Sequence, residues 1–135
     1  MKKALTLFYL DDDFEDLDFF QEVAGDLGHT VRVFADGRIM LLVLETEAVK
    51  PDVIFLDIHM PILNGQEILE IIKKTDTLKD IPVVMVSGAY PKKLVRHFSE
   101  LGVNYFLKKH HVHDYRESLK ELLNDHLATR KATAK

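Results

Sequence analysis

A run of apolar residues, Val53 to Leu56, ends directly in a single carboxylate, Asp57. Such a β-branched and aromatic run is typical of a strand that is buried on both faces. Pro61 and Gly65 follow closely and predict that a loop replaces the strand. A carboxylate at the end of a buried strand needs a compensating partner, because a desolvated, unpaired charge is costly. Asp57 is therefore a candidate site residue, and a simple turn cap is the alternative interpretation.

Three further apolar runs also end in polar side chains. They are residues 5–10, 82–86 and 105–107, and they end at Asp11, Ser87 and Lys108 respectively. Helical patterns separate the runs, which predicts a parallel sheet with right-handed crossover connections. All carboxyl ends of such strands share one edge, where open sheets of this kind bind their ligands. This convergence favours a functional site over four unrelated caps.

The pattern along the chain predicts five strands alternating with five helices in one domain, residues 1–127. Residues 30–34 alternate in polarity and predict a strand near the sheet edge. The third helix, residues 66–74, is expected to direct Ile68, Leu69, Ile71 and Ile72 inward. The small and basic residues 128–135 are expected to form a flexible C-terminal tail.

Composition narrows the function classes. The 135 residues carry a formal net charge of −4, which argues against direct nucleic-acid binding. The chain has no cysteine, so disulfides and thiolate metal sites are excluded. No apolar stretch reaches the roughly 20 residues that cross a bilayer, and the apolar start is too short for a signal peptide. We therefore expect a cytoplasmic protein without membrane contact.

The predicted cluster has the groups that phosphoryl transfer requires. Three neighbouring carboxylates, those of Asp11, Asp12 and Asp57, would repel one another unless a cation neutralises them. Oxygen ligands suit Mg²⁺ or Mn²⁺. Lys108 would add a positive charge and Ser87 a hydroxyl donor, which together stabilise negative charge on a group held at Asp57. Asp57 could then attack phosphorus and form an aspartyl phosphate.

These motifs resemble the receiver domain of two-component response regulators over essentially the whole chain. The motifs are Asp11-Asp12, Asp57-x-x-Met60-Pro61-x-x-x-Gly65, Ser87-Gly88-Ala89 and Tyr105-x-x-Lys108. The resemblance is to the stand-alone, chemotaxis-regulator-like type without an output domain. It implies a flavodoxin-like α/β fold, a doubly wound five-stranded parallel sheet in the order 2-1-3-4-5 with five helices.

The resemblance also implies the roles of the site residues. Asp57 would be the phosphoacceptor. Asp12, Asp57 and the backbone carbonyl of His59 would ligate Mg²⁺, while Asp11 would act mainly through water.

The remaining roles concern the phosphoryl group and the partners. Ser87 and Lys108 would hold the phosphoryl oxygens, and Tyr105 would be the aromatic switch that turns inward when Ser87 moves toward the phosphate. The implied upstream partner is a histidine kinase or histidine phosphotransfer protein, and the downstream partner is an unidentified protein target. The chain would be no enzyme beyond catalysing its own phosphorylation and dephosphorylation.

The sequence departs from the family pattern at two positions. Lys109 stands where the family has a proline after the site lysine, and a non-proline cis bond costs about 3–4 kcal/mol. We therefore predict a trans Lys108–Lys109 peptide, with Lys108 still directed at Asp57. His59 lies two residues past Asp57, where it could screen the acyl phosphate from water or act as a weak base.

Two alternatives to a receiver remain. The first is a Mg²⁺-dependent phosphatase with an aspartyl-phosphate intermediate, although that family usually has a second acid at the position of His59. The second is a degenerate receiver that acts only as a binding module, which the complete set of site residues disfavours.

Overall fold

The computed structural model describes residues 4–58, 65–88, 92–109 and 112–127. Five strands alternate with five α-helices, as predicted. The strands are β1 (Thr6–Leu10), β2 (Thr30–Phe34), β3 (Val53–Asp57), β4 (Val83–Ser87) and β5 (Tyr105–Lys108). The helices are α1 (Phe14–Asp26), α2 (Gly37–Thr46), α3 (Gly65–Lys74), α4 (Lys92–Glu100) and α5 (Val112–Glu121), and α5 continues as a π-helical segment, Leu122–Leu127.

The strands form one parallel sheet in the order β2-β1-β3-β4-β5, which confirms the predicted doubly wound topology. The alternating sequence of β2 fits its place at one edge, where Thr30 and Arg32 are exposed. In contrast, every residue of β3 and β4 is buried, because helices cover both faces of the central strands.

The sheet separates two hydrophobic cores, and successive strand residues contribute to opposite ones. Helices α1 and α5 cover the first core, which contains Val53, Phe55, Val84 and Val86 from the central strands. Helices α2, α3 and α4 cover the second core, which contains Ile54, Leu56, Val83 and Met85. We refer to these two sides as the α1/α5 face and the α2–α4 face.

Local signals account for both ends of α1. Asp13 caps α1 by accepting hydrogen bonds from the backbone N–H groups of Glu15 and Asp16. Gly28, at φ 96°, follows the end of α1 in the left-handed region that glycine favours. One expectation for α3 is wrong: Ile71 is 36% exposed, because it lies at the border of the apolar stripe formed by Ile68, Leu69 and Ile72.

Candidate functional site

The carboxyl edge of the sheet brings two buried carboxylates side by side. Strands β1 and β3 are neighbours, and their register pairs Leu10 with Leu56. Asp11 follows Leu10 and Asp57 follows Leu56, so the two carboxylates are neighbours. Both side chains are almost fully buried, with 0% and 1% exposure respectively. The strand ends thus meet at one edge, as predicted, and they bring Asp11 and Asp57 together.

Asp12 completes a group of three carboxylates. One oxygen from each of Asp11, Asp12 and Asp57 lies within 4.8 Å of the others, and only the Asp12 side chain is exposed. Three acidic oxygens this close need positive charge, and an all-oxygen donor set suits a hard divalent cation. The three residues thus fit a divalent metal ion, which could reach them from solvent on the exposed side of the group, at Asp12.

Asp11 is held in place by three donors. One of its oxygens accepts the backbone N–H of Asp13 at 3.0 Å, and the other accepts the buried phenol of Tyr9. The second oxygen also lies 2.9 Å from Lys109 Nζ. Burial, followed by the nearby Tyr115 and the negative charge of Asp11, raises the pKa of Tyr9, so its hydroxyl stays protonated and donates. Asp11 is therefore a fixed negative charge in the site.

The site lysine is Lys109. Its ammonium lies 2.9 Å from Asp11, 3.0 Å from Asp16 and 3.6 Å from Asp57. Burial alone lowers the pKa of Lys109, but hydrogen bonds to Asp11 and Asp16 and the negative charge of Asp57 outweigh it and raise the pKa above its usual value. Lys109 therefore carries a permanent positive charge between the carboxylates.

The prediction that Lys108 points at Asp57 is wrong by one residue. Lys108 is the last residue of β5, pairs with Ser87 across the sheet and exposes its side chain. Side chains alternate along a strand, so Lys109 shares the α1/α5 face with the buried Leu107. The backbone N–H of Lys109 donates to the Ser87 carbonyl at 2.7 Å and extends the ladder by one residue.

The Lys108–Lys109 peptide is trans, as predicted, and the described residues contain no cis peptide bond.

The alternation of strand residues was the signal that could have identified Lys109 from the sequence. A lysine two positions after a buried leucine lies on the buried side, whereas a lysine directly after that leucine points away from it.

The aromatic switch residue is displaced by one position in the same way as the site lysine. Ser87 is buried at the end of β4, two residues after Met85, and so belongs to the α2–α4 face. Phe106 pairs with Met85 in the sheet and packs on that face as well. Tyr105, the predicted switch residue, packs on the opposite α1/α5 face. The aromatic ring that shares a face with Ser87, three residues before the site lysine, is therefore that of Phe106.

The sequence pattern does not identify two further site residues, Tyr9 and Asp16. Tyr9 lies within the apolar run of β1 and reads as a core residue. Asp16 is one of several acidic residues near the start of α1, and the sequence does not distinguish it from them. Together with Phe19, Lys109 and Tyr115 they line a cavity of about 20 Å³ between α1 and α5. A cavity of this volume has room for about one water molecule.

Several predicted residues lie outside the described residues. They are His59 with its backbone carbonyl, the Met60-Pro61 motif, Ala89 and the tail 128–135. In the part of the chain that the structure describes, no helix combines the length and apolarity needed to cross a bilayer.

A family model and a curated relative match this chain. The model of the response regulator receiver domain matches residues 7–126. The response regulator Rcp1 of Synechocystis sp. is 29% identical over 111 residues, which cover 77% of this chain and 76% of Rcp1. A crystal structure of Rcp1 in its Mn²⁺-bound form has a TM-score of 0.76 at 26% identity, and the match covers 88% of this chain and 91% of that one.

Other solved structures share the fold. The phosphorylated cyanobacterial phytochrome response regulator RcpA has a TM-score of 0.78 at 28% identity, and the match covers 90% of this chain and 94% of RcpA. The chemotaxis protein CheY4 of Vibrio cholerae has a TM-score of 0.79 at 22% identity, covering 90% of this chain and 97% of CheY4. Because the family model spans nearly the whole chain, this protein belongs to the response regulator receiver domain family.

Proposed function

We propose that this protein is the phosphoacceptor receiver of a two-component signalling system. Asp57 would take a phosphoryl group from a phosphohistidine in a histidine kinase or a histidine phosphotransfer protein. One observation carries the proposal: the buried Asp57 carboxylate lies beside two further carboxylates and 3.6 Å from a lysine ammonium. This arrangement offers a nucleophile together with opposite charge for the incoming phosphoryl oxygens.

The transfer itself requires little covalent chemistry from the protein. An Asp57 oxygen forms a bond to phosphorus while the phosphorus–nitrogen bond of the donor breaks. The imidazole leaves with the electron pair and takes up a proton from water. Lys109 would neutralise a phosphoryl oxygen, and the Ser87 hydroxyl, at the end of the neighbouring strand β4, would donate to another.

Mg²⁺ is the divalent ion that we propose for the carboxylate group, with Mn²⁺ as a substitute. Asp12 and Asp57 would bind it directly, together with the backbone carbonyl of His59, and Asp11 would act mainly through water. When bound, the ion neutralises charge on the phosphoryl oxygens. The Mn²⁺-bound form of Rcp1 supports this choice by similarity.

We further propose that Phe106, and not Tyr105, follows the movement of Ser87. A Tyr105 ring would have to leave the α1/α5 core and cross the sheet to approach Ser87, whereas Phe106 already packs on the same face. Movement of Phe106 would alter the surface near α4 and β5 that a downstream protein contacts. The output would thus be a protein–protein contact made by a cytoplasmic receiver domain, residues 1–127, whose only catalysis is its own phosphorylation and dephosphorylation.

The proposal is tested with acetyl phosphate and Mg²⁺, followed by intact-mass measurement. We expect one phosphoryl group per chain, and none in Asp57→Asn, because an amide is not a nucleophile for phosphorus. Chelation of the metal should also stop labelling, since the three carboxylates then repel the donor. Asp18→Asn, on the exposed side of α1, is the matched control and should be labelled normally.

Two results would contradict the proposal. Labelling that persists in Asp57→Asn would assign the phosphoacceptor to another residue. Steady turnover of phosphomonoesters would favour the phosphatase alternative over a receiver.

A further inference from the structure

The ammonium of Lys109 is shared by three carboxylates, one from the loop after β1, one from α1 and one from β3, and it does not lie closest to Asp57. It is within hydrogen-bond distance of Asp11 and Asp16, at 2.9 and 3.0 Å, but 3.6 Å from Asp57. The lysine is therefore displaced toward α1, away from the carboxylate at the end of β3.

Asp16 is the partner that the phosphoryl chemistry leaves unexplained. It belongs to α1, lies outside the group formed by Asp11, Asp12 and Asp57, and is 38% exposed. It reaches Lys109 across the small cavity between α1 and α5 that Tyr9 and Tyr115 also line. The contact spans 93 residues of sequence, so it depends on the assembled fold.

A phosphoryl group on Asp57 would compete with Asp16 for this lysine. The group adds negative charge at the end of β3, and the ammonium must approach it to form a hydrogen bond. Lys109 has three N–H donors, and two of them point to Asp11 and Asp16 in the present arrangement. Asp11 is fixed by Tyr9 and by the Asp13 backbone, whereas Asp16 lies on the surface of α1, so the Asp16 contact is the one that can be given up.

We propose that Asp16 is a positioning residue that restrains Lys109 and thereby weakens the hold of the site on a phosphoryl group at Asp57. The inference rests on the proposed function of Asp57 as the phosphoacceptor. The ion pair between Asp16 and Lys109 would favour the unphosphorylated state of the protein. Because this pair is partly exposed, we expect it to weaken the binding of a phosphoryl mimic by about two- to fivefold.

The experiment measures the affinity of the Mg²⁺-loaded protein for beryllofluoride, a stable phosphoryl mimic, by calorimetry and by the ¹⁹F spectrum of the bound group. We expect Asp16→Asn to bind beryllofluoride about two- to fivefold more tightly than wild type, because its amide carries no charge to hold Lys109. Asp16→Glu restores the carboxylate and should return the affinity toward the wild-type value.

The matched control is Asp18→Asn, which makes the same charge change on the same helix without a contact to Lys109. Its affinity should equal that of wild type at physiological salt, because exposed charges at a distance are screened. Circular dichroism of each variant verifies that α1 is intact.

The outcomes separate this inference from the proposed function. Unchanged or weaker binding in Asp16→Asn would overturn the restraint by Asp16, and so would equal tightening in Asp18→Asn. If wild type bound no beryllofluoride and accepted no phosphoryl group from acetyl phosphate, the phosphoacceptor function itself would be wrong.

Discussion

Gly65 lies so close to Asp57 that a Cβ atom at position 65 would be only 2.6 Å from the Asp57 backbone carbonyl oxygen. The same atom would approach Ile58 Cα and Met85 Cε to 3.1 Å. The first turn of α3 therefore packs directly beneath the end of β3. The absence of a side chain at Gly65 is what allows this approach.

We predict that Gly65→Ala destabilises the protein by about 1–3 kcal/mol, because backbone atoms must move to admit the methyl group. Urea denaturation of the purified variant measures the change in the free energy of unfolding. Gly25→Ala is the control, since a Cβ there has no neighbour within 4 Å, and it should stabilise α1 by up to about 1 kcal/mol. Equal stability of Gly65→Ala and wild type would show that α3 can shift at no cost.

Lys109 and Lys108 should differ sharply in function although they are adjacent. Lys109→Ala removes a charged donor from the carboxylates, and we expect beryllofluoride affinity to fall by about tenfold or more. Lys108→Ala removes an exposed side chain and should leave the affinity unchanged. Calorimetry on both variants measures the difference, and the reverse ranking would restore Lys108 as the site lysine.

Asp12 and Asp11 should separate metal binding from stability. Asp12 is exposed and can give its oxygens to the ion, so Asp12→Ala should weaken Mg²⁺ binding more than Asp11→Ala. Asp11→Ala leaves the buried Tyr9 hydroxyl without its acceptor and should lower the metal-free stability by about 1–3 kcal/mol.

Titration calorimetry and thermal unfolding, with and without Mg²⁺, test both statements. Mg²⁺ should raise the Tm of wild type, because it binds the folded state. If neither substitution alters the Mg²⁺ affinity, the three carboxylates do not form a metal site.

His29 should make the stability depend on pH. Its Nδ1 accepts the Leu5 backbone N–H at 3.0 Å, its Nε2 is buried without a partner among the described residues, and burial lowers its pKa below 6.5. The unfolded chain thus takes up a proton first as the pH falls. The contribution of His29 is complete above about pH 6.5 and is lost as the pH drops from there toward the folded-state pKa, by at most about 1.4 kcal/mol per pH unit.

Urea denaturation between about pH 7.5 and pH 5 measures this slope. His29→Asn keeps an acceptor for Leu5 but does not titrate, so its slope should be flatter than that of wild type. A wild-type slope in His29→Asn would assign the pH dependence to other groups.

The sequence predicts the strands and the carboxylates well, because buried parallel strands are continuous apolar runs and their polar ends must meet at one edge. Asp11, Asp12 and Asp57 therefore follow from the pattern alone. The choice between Lys108 and Lys109 needs one further step, because the two adjacent lysines are told apart only by the alternation of side chains along β5, which assigns each to a face. Asp16 is harder still, because only the assembled fold brings its helix beside a residue 93 positions later.

The division of the sheet into two faces has a consequence for how such a protein can change. Asp11, Asp57 and Lys109 belong to the α1/α5 face, whereas Ser87 and Phe106 belong to the α2–α4 face. Substitutions under α1 could therefore adjust how long a charge persists at the strand ends while leaving the surface near α4 untouched. Substitutions on the exposed surface of α4, which leave Ser87 in place, could exchange one binding partner for another without altering that timing. The duration of a signal and the protein that receives it would then evolve independently, although both depend on one edge of the sheet.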